Sequence, residues 1–317
     1  MPTVEARALL VSGKGGTGKT TIAAALAMAA ARRGRSVLLL ELEGRPGAAR
    51  LLGVHRSMQE RETKFGFSVA SLGPREALLE YLSLFYGMGK LAGPLVRTRA
   101  VDVVTEVAPG FRDLMLAGKV YETAEWRRGS PRAAGRPRYD LVVADAPPTG
   151  QIVPFLRAPY AFAEMIRVGR PGRQARTIGG FLRRRARVVL VTTPEELAVA
   201  ETLEAHAAIA DLGIPVGPVV VNRVLPPALP RGTARAFDAL TAERMAELLS
   251  SAGPAVGRRA AAAALDVTRH HRRAEALQRA QVRRLGDLTR VEVPHLFSHD
   301  FGPAQIAELS SHVESVR

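Results

Sequence analysis

The chain has 317 residues, enough for one large α/β domain or two small domains with a substantial core. It contains no cysteine, which excludes disulfides, thiolate zinc sites, cysteine-ligated iron–sulfur clusters and thiol nucleophiles. Its formal net charge of +15 brings nucleic acid or an anionic membrane into consideration as a partner. The sequence shows neither a secretory leader nor an apolar run long enough to span a bilayer, so we expect a cytoplasmic protein.

The first predicted elements are a short buried strand at residues 8–11 and a helix that follows a glycine-rich turn. The turn matches the P-loop pattern G-x-x-x-x-G-K-[ST], in which backbone N–H groups point at a polyphosphate near the positive end of a helix dipole. We therefore predict a nucleotide-binding site that comprises Gly13, Gly15, Gly16, Thr17, Gly18, Lys19, Thr20 and Thr21. Lys19 would reach the β- and γ-phosphates, and the hydroxyl of Thr20 would bind Mg²⁺. A second lysine, Lys14, lies in the same turn.

Short apolar runs alternate with helical patterns along the rest of the chain, which predicts a doubly wound, mostly parallel sheet in an α/β fold. The further strands are predicted at 36–41, 66–70, 140–144, 187–192, 216–221 and 290–293. One helix should start near Thr193, whose hydroxyl can cap it.

Two stretches, 75–128 and 154–184, interrupt the alternation and are predicted as helices rich in large apolar side chains. We interpret them as a helical subdomain inserted into a single P-loop ATPase domain that spans residues 1–317. Because the apolar residues surround most of the helix, they form core or line a groove for a hydrophobic client. Residues 226–285 are predicted as additional helices rich in alanine and arginine.

Acidic residues follow two of the predicted strands. Asp145 ends the strand at 140–144 and could hold Mg²⁺ through its water shell, while the amide of Gly150 in the following loop could contact the γ-phosphate. After the strand at 36–41, alternation places Glu41 and Glu43 on the same side. Glu43 lies farther out and is predicted to be catalytic by orienting or deprotonating the attacking water, whereas Glu41 would support Mg²⁺ or the loop.

The base of the nucleotide has candidate contacts near the end of the chain. Asn222 follows a late strand and its amide can give paired hydrogen bonds to an adenine edge, with Arg223 beside it. The segment that contains Pro294 could pack on the flat face of the base.

The most basic segment, residues 167–187, has eight arginines and no acidic residue. Only Phe181 offers a stacking ring, which is poor interleaving for single-stranded nucleic acid. We therefore interpret this segment first as a solvated face, second as a contact for an acidic membrane or protein surface, and last as a contact for nucleic acid.

These motifs resemble those of a known family. The turn with Lys14 and Lys19 is similar to the deviant Walker A motif of the MinD, ParA and nitrogenase-iron-protein class. The run from Asp145 to Gly150, and the Asn222-Arg223 step, resemble the branch of arsenite-pump and tail-anchored-protein-targeting ATPases, and the whole chain, including 108–113, is similar to its actinobacterial anion-transporting-ATPase-like members.

The resemblance implies ATP and Mg²⁺ as cofactors and a nucleotide-sandwich dimer in which Lys14 crosses to the partner's phosphates. It also implies switch loops that couple hydrolysis to rearrangement of a helical, client-binding part. The chain departs from the family at Glu43, where an Asp-Pro-Ala-His motif is usual, so hydrolysis should be slow or differently gated. The cysteines that bind arsenite or zinc in the family are absent, which argues against a metalloid pump.

The leading hypothesis is a Mg²⁺-dependent ATP hydrolase that acts as a dimeric nucleotide-driven switch, as a targeting factor or chaperone for membrane-protein clients. Its partner would be a second copy or a paralogous ATPase subunit. One alternative is a ParA/MinD-like positioning ATPase that binds DNA or makes peripheral membrane contact, although the C-terminal segment 305–314 is not basic, as a membrane-targeting tail would be. Another is a weakly active regulatory subunit of a heterodimeric ATPase.

Overall fold

A computed structural model describes residues 5–42, 47–55, 57–73, 76–77, 110–125, 137–253 and 255–316. The strands in these residues are β1 (Ala8–Gly13), β2 (Val37–Glu41), β3 (Arg61–Glu62), β4 (Ser68–Ser71), β5 (Leu141–Asp145), β6 (Ala186–Thr192), β7 (Val219–Val224) and β8 (Arg290–Pro294). They form one sheet of eight strands in the order β3-β4-β2-β5-β1-β6-β7-β8.

The sheet is parallel except at one edge, where β3 pairs antiparallel to β4. Strand β1 lies inside the sheet between β5 and β6, and all six of its residues are buried. A central strand in a parallel sheet has both faces covered, which explains its continuous apolar sequence.

The helices are α1 (Lys19–Arg32), α2 (Gly47–Leu51), α3 (Phe111–Glu125), α4 (Thr149–Met165), α5 (Gly169–Arg185), α6 (Glu196–Asp211), α7 (Ala234–Asp238), α8 (Ala242–Ala252), α9 (Arg258–Arg283) and α10 (Pro303–His312). None of the helices in the described part of the chain is long and apolar enough to cross a membrane.

Two apolar layers cover the two faces of the sheet. On one face α1, α2 and α10 pack over residues such as Leu39 and Val143. On the other, α3, α4, α5 and α6 pack over residues such as Leu40 and Ala144. Helices on both faces of a mostly parallel sheet make a doubly wound α/β fold, so the predicted fold class is confirmed.

The strand predictions are confirmed with small shifts of their ends. The predicted strand at 216–221 begins only at Val219, and Val216 forms an isolated bridge with Val188. Strand β3 was missed because two exposed residues carry no pattern. The predicted cap at Thr193 is wrong: α6 begins at Glu196, and the carbonyl of Thr193 instead accepts a hydrogen bond from the Glu195 N–H.

The inserted helical subdomain stays a prediction. Of the first segment, 75–128, only 76–77 and 110–125 lie among the described residues, and the latter contain α3. The second segment, 154–184, falls in α4 and α5, which contact each other and bury Phe155 and Phe181 in the layer over the sheet. Farther along, α8 and α9 pack against each other, and α8 has no buried residue.

Candidate functional site

The glycine-rich turn connects β1 to α1 at the carboxyl edge of the sheet. A Cβ at Gly13 would overlap the carbonyl oxygen of Val191 in the neighbouring strand. Gly16 and Gly18 have φ angles of 88° and 91°, in the left-handed region that favours glycine. The predicted P-loop therefore has the backbone shape that its glycines allow.

The loop folds around the carbonyl oxygen of Lys14. This oxygen accepts hydrogen bonds from the N–H of Thr17 at 3.3 Å and from its hydroxyl at 2.9 Å. The Lys19 ammonium also lies on it, at 3.5 Å. Lys19 is thus placed inside the loop that a polyphosphate would fill.

Thr20 and Asp145 meet across this edge. The Thr20 hydroxyl donates a hydrogen bond of 2.6 Å to Oδ2 of the Asp145 carboxylate. A second bond of 2.6 Å, from the Ser12 hydroxyl to the Pro147 carbonyl, joins the loop after β5 to the end of β1. Hydroxyl and carboxylate oxygens are hard ligands suited to Mg²⁺, so these two side chains fit the magnesium site that was predicted for them.

Glu41, at the end of β2, is buried and has a different set of contacts. Its Oε1 accepts a hydrogen bond of 2.6 Å from the N–H of Ala48, at the start of α2. Its Oε2 accepts one from the Ser71 hydroxyl at the end of β4. The two roles predicted for Glu41, support of Mg²⁺ or of the loop, stay predictions. Glu43, the predicted catalytic residue, lies outside the described residues.

Asn222 connects β7 to the P-loop. Its Nδ2 donates a hydrogen bond of 2.8 Å to the carbonyl of Thr17, and its Oδ1 accepts one of 3.0 Å from the N–H of Arg223. Arg223 has a φ of 60°, the only positive φ among the described non-glycine residues. Pro294 lies beside this point, because it pairs with Val224 across the edge between β7 and β8. The adenine contacts of Asn222, Arg223 and Pro294 stay a prediction.

The segment after β7 is held by α9. His271 hydrogen-bonds through Nε2 to the carbonyl of Pro226 at 2.8 Å. Glu275 accepts from the N–H of Ala228 at 3.3 Å, and Gln278 accepts from the N–H of Leu225 at 2.8 Å. The three side chains lie four and three residues apart, on one face of the helix.

Sequence reasoning missed one residue at this edge. Glu201, in the second turn of α6, accepts a hydrogen bond of 2.7 Å from the Lys14 ammonium and one of 2.9 Å from the Thr149 hydroxyl. These bonds, chiefly the one from Lys14, lower the pKa of Glu201. Gly150, which follows Thr149 at the start of α4, is exposed. No sequence signal separates Glu201 from the other acidic residues of α6, such as Glu204.

The arginine-rich segment has an apolar inner face and a charged outer face. Helix α5 buries Ile178 and Leu182, whereas Arg170, Arg173 and Arg176 are exposed. The Arg183 guanidinium lies 4.2 Å from the centre of the Tyr160 ring.

Elsewhere, no group of three histidine and acidic residues in the described part of the chain could hold a metal ion.

The sheet, the P-loop and the Thr20–Asp145 pair define the class of the protein as a P-loop NTPase. The sequence model of the anion-transporting ATPase family matches residues 6–181, which is more than half of the chain. The chain belongs to this family, and it is an ATPase.

Named relatives agree with this assignment. The chain is 40% identical over 237 residues to the ATPase BagA of Mycobacterium tuberculosis, covering 72% of this chain and 68% of BagA. It is 24% identical over 238 residues to the arsenical pump-driving ATPase of Acidiphilium multivorum, covering 69% of this chain and 40% of that protein. An arsenical pump-driving ATPase of Escherichia coli is 22% identical over 236 residues, covering 69% of this chain and 39% of its own.

Proposed function

We propose that this ATPase is a Mg²⁺-dependent, nucleotide-driven switch that works as a dimer. The observation that carries the proposal is the meeting of Thr20 and Asp145 beside a P-loop that contains two lysines. Thr20 and Asp145 would hold Mg²⁺, which neutralises charge on the phosphates.

We propose the following roles for the other predicted residues of the site. Lys19 and the loop amides, from Gly13 to Thr21, bind the phosphates, and the Gly150 amide contacts the γ-phosphate. Asn222, Arg223 and Pro294 hold the base, and Asn222 also fixes the loop through its bond to Thr17. Glu43 orients the attacking water, and Glu41 anchors the start of α2 through its bond to the N–H of Ala48.

Lys14 is the residue that makes the switch a dimer. Its ammonium forms an ion pair with Glu201, and its side chain is 33% exposed, so a partner molecule can reach it. We propose that Lys14 binds the phosphates held by the partner, which is a second copy of the chain or a paralogous subunit. Hydrolysis would then end the contact between the two molecules.

Light scattering of the purified protein tests the dimer. With ATP and Mg²⁺ the wild-type mass should double, whereas ADP or removal of Mg²⁺ should return it to the monomer. Lys14→Ala should bind ATP but remain monomeric, and Lys19→Ala should lose binding. A wild-type mass that does not respond to ATP rejects the homodimer, and only co-purification of a paralogous subunit would then preserve the dimeric switch.

The cargo that we propose is a membrane protein, which the ATPase would target or protect as a chaperone. Support comes from Met165 and Val168, whose side chains are exposed at the turn between α4 and α5. An arsenical pump role, which the names of two of the relatives state, is not part of the proposal, because the chain has no cysteine to bind arsenite. Proteins bound to the ATPase in its native host should include membrane proteins, and Val168→Asp should release them. Equal capture by the variant would place the cargo elsewhere.

A further inference from the structure

The ammonium of Lys14 is held within its own chain by a carboxylate that the P-loop motif does not include. The Lys14 Nζ lies 2.7 Å from Oε1 of Glu201. The other oxygen of Glu201, Oε2, accepts a hydrogen bond of 2.9 Å from the hydroxyl of Thr149. Both oxygens of one carboxylate are therefore used, one by the P-loop and the other by the first residue of α4.

The contact is suited to exchange. The side chains of Lys14 and Glu201 are 33% and 40% exposed, and ion pairs with this degree of exposure contribute little to folding stability. The bonds to Lys14 and Thr149 lower the pKa of Glu201, so its carboxylate is charged at neutral pH and the pair is present there. A phosphate carries more negative charge and more acceptor oxygens than a carboxylate, and it can displace Glu201 from Lys14.

We propose that Glu201 is a positioning residue that holds Lys14 in its own chain until the phosphates of the nucleotide held by the partner molecule replace it. This inference depends on the proposed role of Lys14 in a dimer. The exchange removes one of the two bonds of Glu201 and leaves only the bond to Thr149.

Thr149 places the exchange close to the magnesium side of the site. It begins α4, directly after the loop that follows Asp145. The same loop is tied to the end of β1, directly before the P-loop, by the bond from the Ser12 hydroxyl to the Pro147 carbonyl. When Lys14 leaves Glu201, the start of α4 loses its link to the P-loop through Glu201, whereas the loop before α4 keeps its bond to β1 through Pro147.

The substitution Glu201→Gln separates the two bonds. Glutamine has the same shape and can still accept from Thr149, but without charge it holds an ammonium more weakly. Glu204→Gln is the matched control, because Glu204 is an exposed residue of the same helix with no hydrogen bond or ion pair among the described residues. Both variants change the net charge by the same amount.

The first measurement is the rate at which an amine-acylating reagent modifies Lys14 in the nucleotide-free protein, followed by mass spectrometry. The ion pair with Glu201 covers the amine, so Glu201→Gln should raise the rate about two- to fivefold, the range expected for an exposed pair. Glu204→Gln should leave it unchanged. Equal rates in the wild type and in Glu201→Gln would overturn the proposal.

The second measurement is the ATP concentration that gives half-maximal dimerisation. Glu201→Gln should lower it about two- to fivefold, because Lys14 no longer has to leave a partner. In a Lys14→Ala background, Glu201→Gln should leave the ATP affinity unchanged. If Glu201 acted only structurally, through its bond to Thr149, the substitution would still change the ATP affinity in that background. A half-maximal concentration that stays the same or rises overturns the exchange.

The two measurements separate the possible failures. Faster acylation in Glu201→Gln together with a wild type that dimerises neither with itself nor with a co-purified paralogous subunit would reject the proposed dimer and the exchange, and leave only the contact within the chain. Unchanged acylation with normal dimerisation would reject the role of Glu201 alone.

Discussion

The ends of β5 and β2 carry acidic residues at equivalent positions, yet the two carboxylates have different neighbours. Asp145 and Glu41 are partners in the parallel ladder, so they lie side by side on one face of the sheet. Asp145 accepts a hydrogen bond from Thr20 in the P-loop. Glu41 accepts from Ala48 and from Ser71, which belong to α2 and β4.

The difference shows that a position at the carboxyl edge of the sheet does not by itself determine the contacts of an acidic residue. The contacts are determined by the element that approaches each strand end, which is the start of α1 for Asp145 and the start of α2 for Glu41. The two regions also touch, because a Cβ at Gly47 would lie 2.9 Å from Cγ2 of Thr20. Three substitutions test how separate they are.

Asp145→Asn should have the largest effect. The asparagine can still accept from Thr20, so the fold is kept, but the charge that would hold Mg²⁺ is lost. We expect ATP turnover to fall by about 100-fold or more. Phosphate release at saturating ATP measures the loss, and thermal unfolding serves as the control for folding. Turnover close to that of the wild type would mean that the ends of β5 and β2 do not differ in function.

Glu41→Ala should act mainly on stability. It leaves the N–H of Ala48 and the hydroxyl of Ser71 without their buried acceptor. We expect the free energy of unfolding to fall by about 2 kcal/mol, with a smaller loss of turnover than Asp145→Asn. Denaturant titration measures it, and Glu41→Gln should retain part of the stability. Unchanged stability with an altered Mg²⁺ requirement would instead make Glu41 part of the metal site.

Gly47→Ala should have the smallest effect, since it adds one methyl group between the two regions. The methyl would press on Thr20, and we expect the Mg²⁺ concentration for half-maximal activity to rise by about threefold, which corresponds to about 0.7 kcal/mol. Gly257→Ala is the control, because a Cβ there meets nothing within 4 Å. Identical Mg²⁺ curves for both variants would show that the regions act independently.

The predicted parts of the site are those with short-range signals. The strand, turn and helix around Lys19 follow from glycine positions and an apolar run, and Asp145 follows from the end of a buried strand. Glu201 could not be predicted, because its contact with Lys14 joins residues 187 positions apart and depends on how α6 lies beside the P-loop. Likewise, the pattern placed Glu41 at the edge but not its neighbours, because Ser71 reaches it only once β4 pairs with β2.

The hydrogen bonds between α9 and the segment after β7 determine which substitutions that segment can tolerate. His271, Glu275 and Gln278 contact backbone atoms of residues 225–228, and every amino acid supplies the same carbonyl. The side chains of residues 225–228 can therefore change through evolution with little effect on these hydrogen bonds. The exception is proline at Leu225 or Ala228, whose N–H groups are the donors, whereas Pro226 is tolerated because only its carbonyl is used.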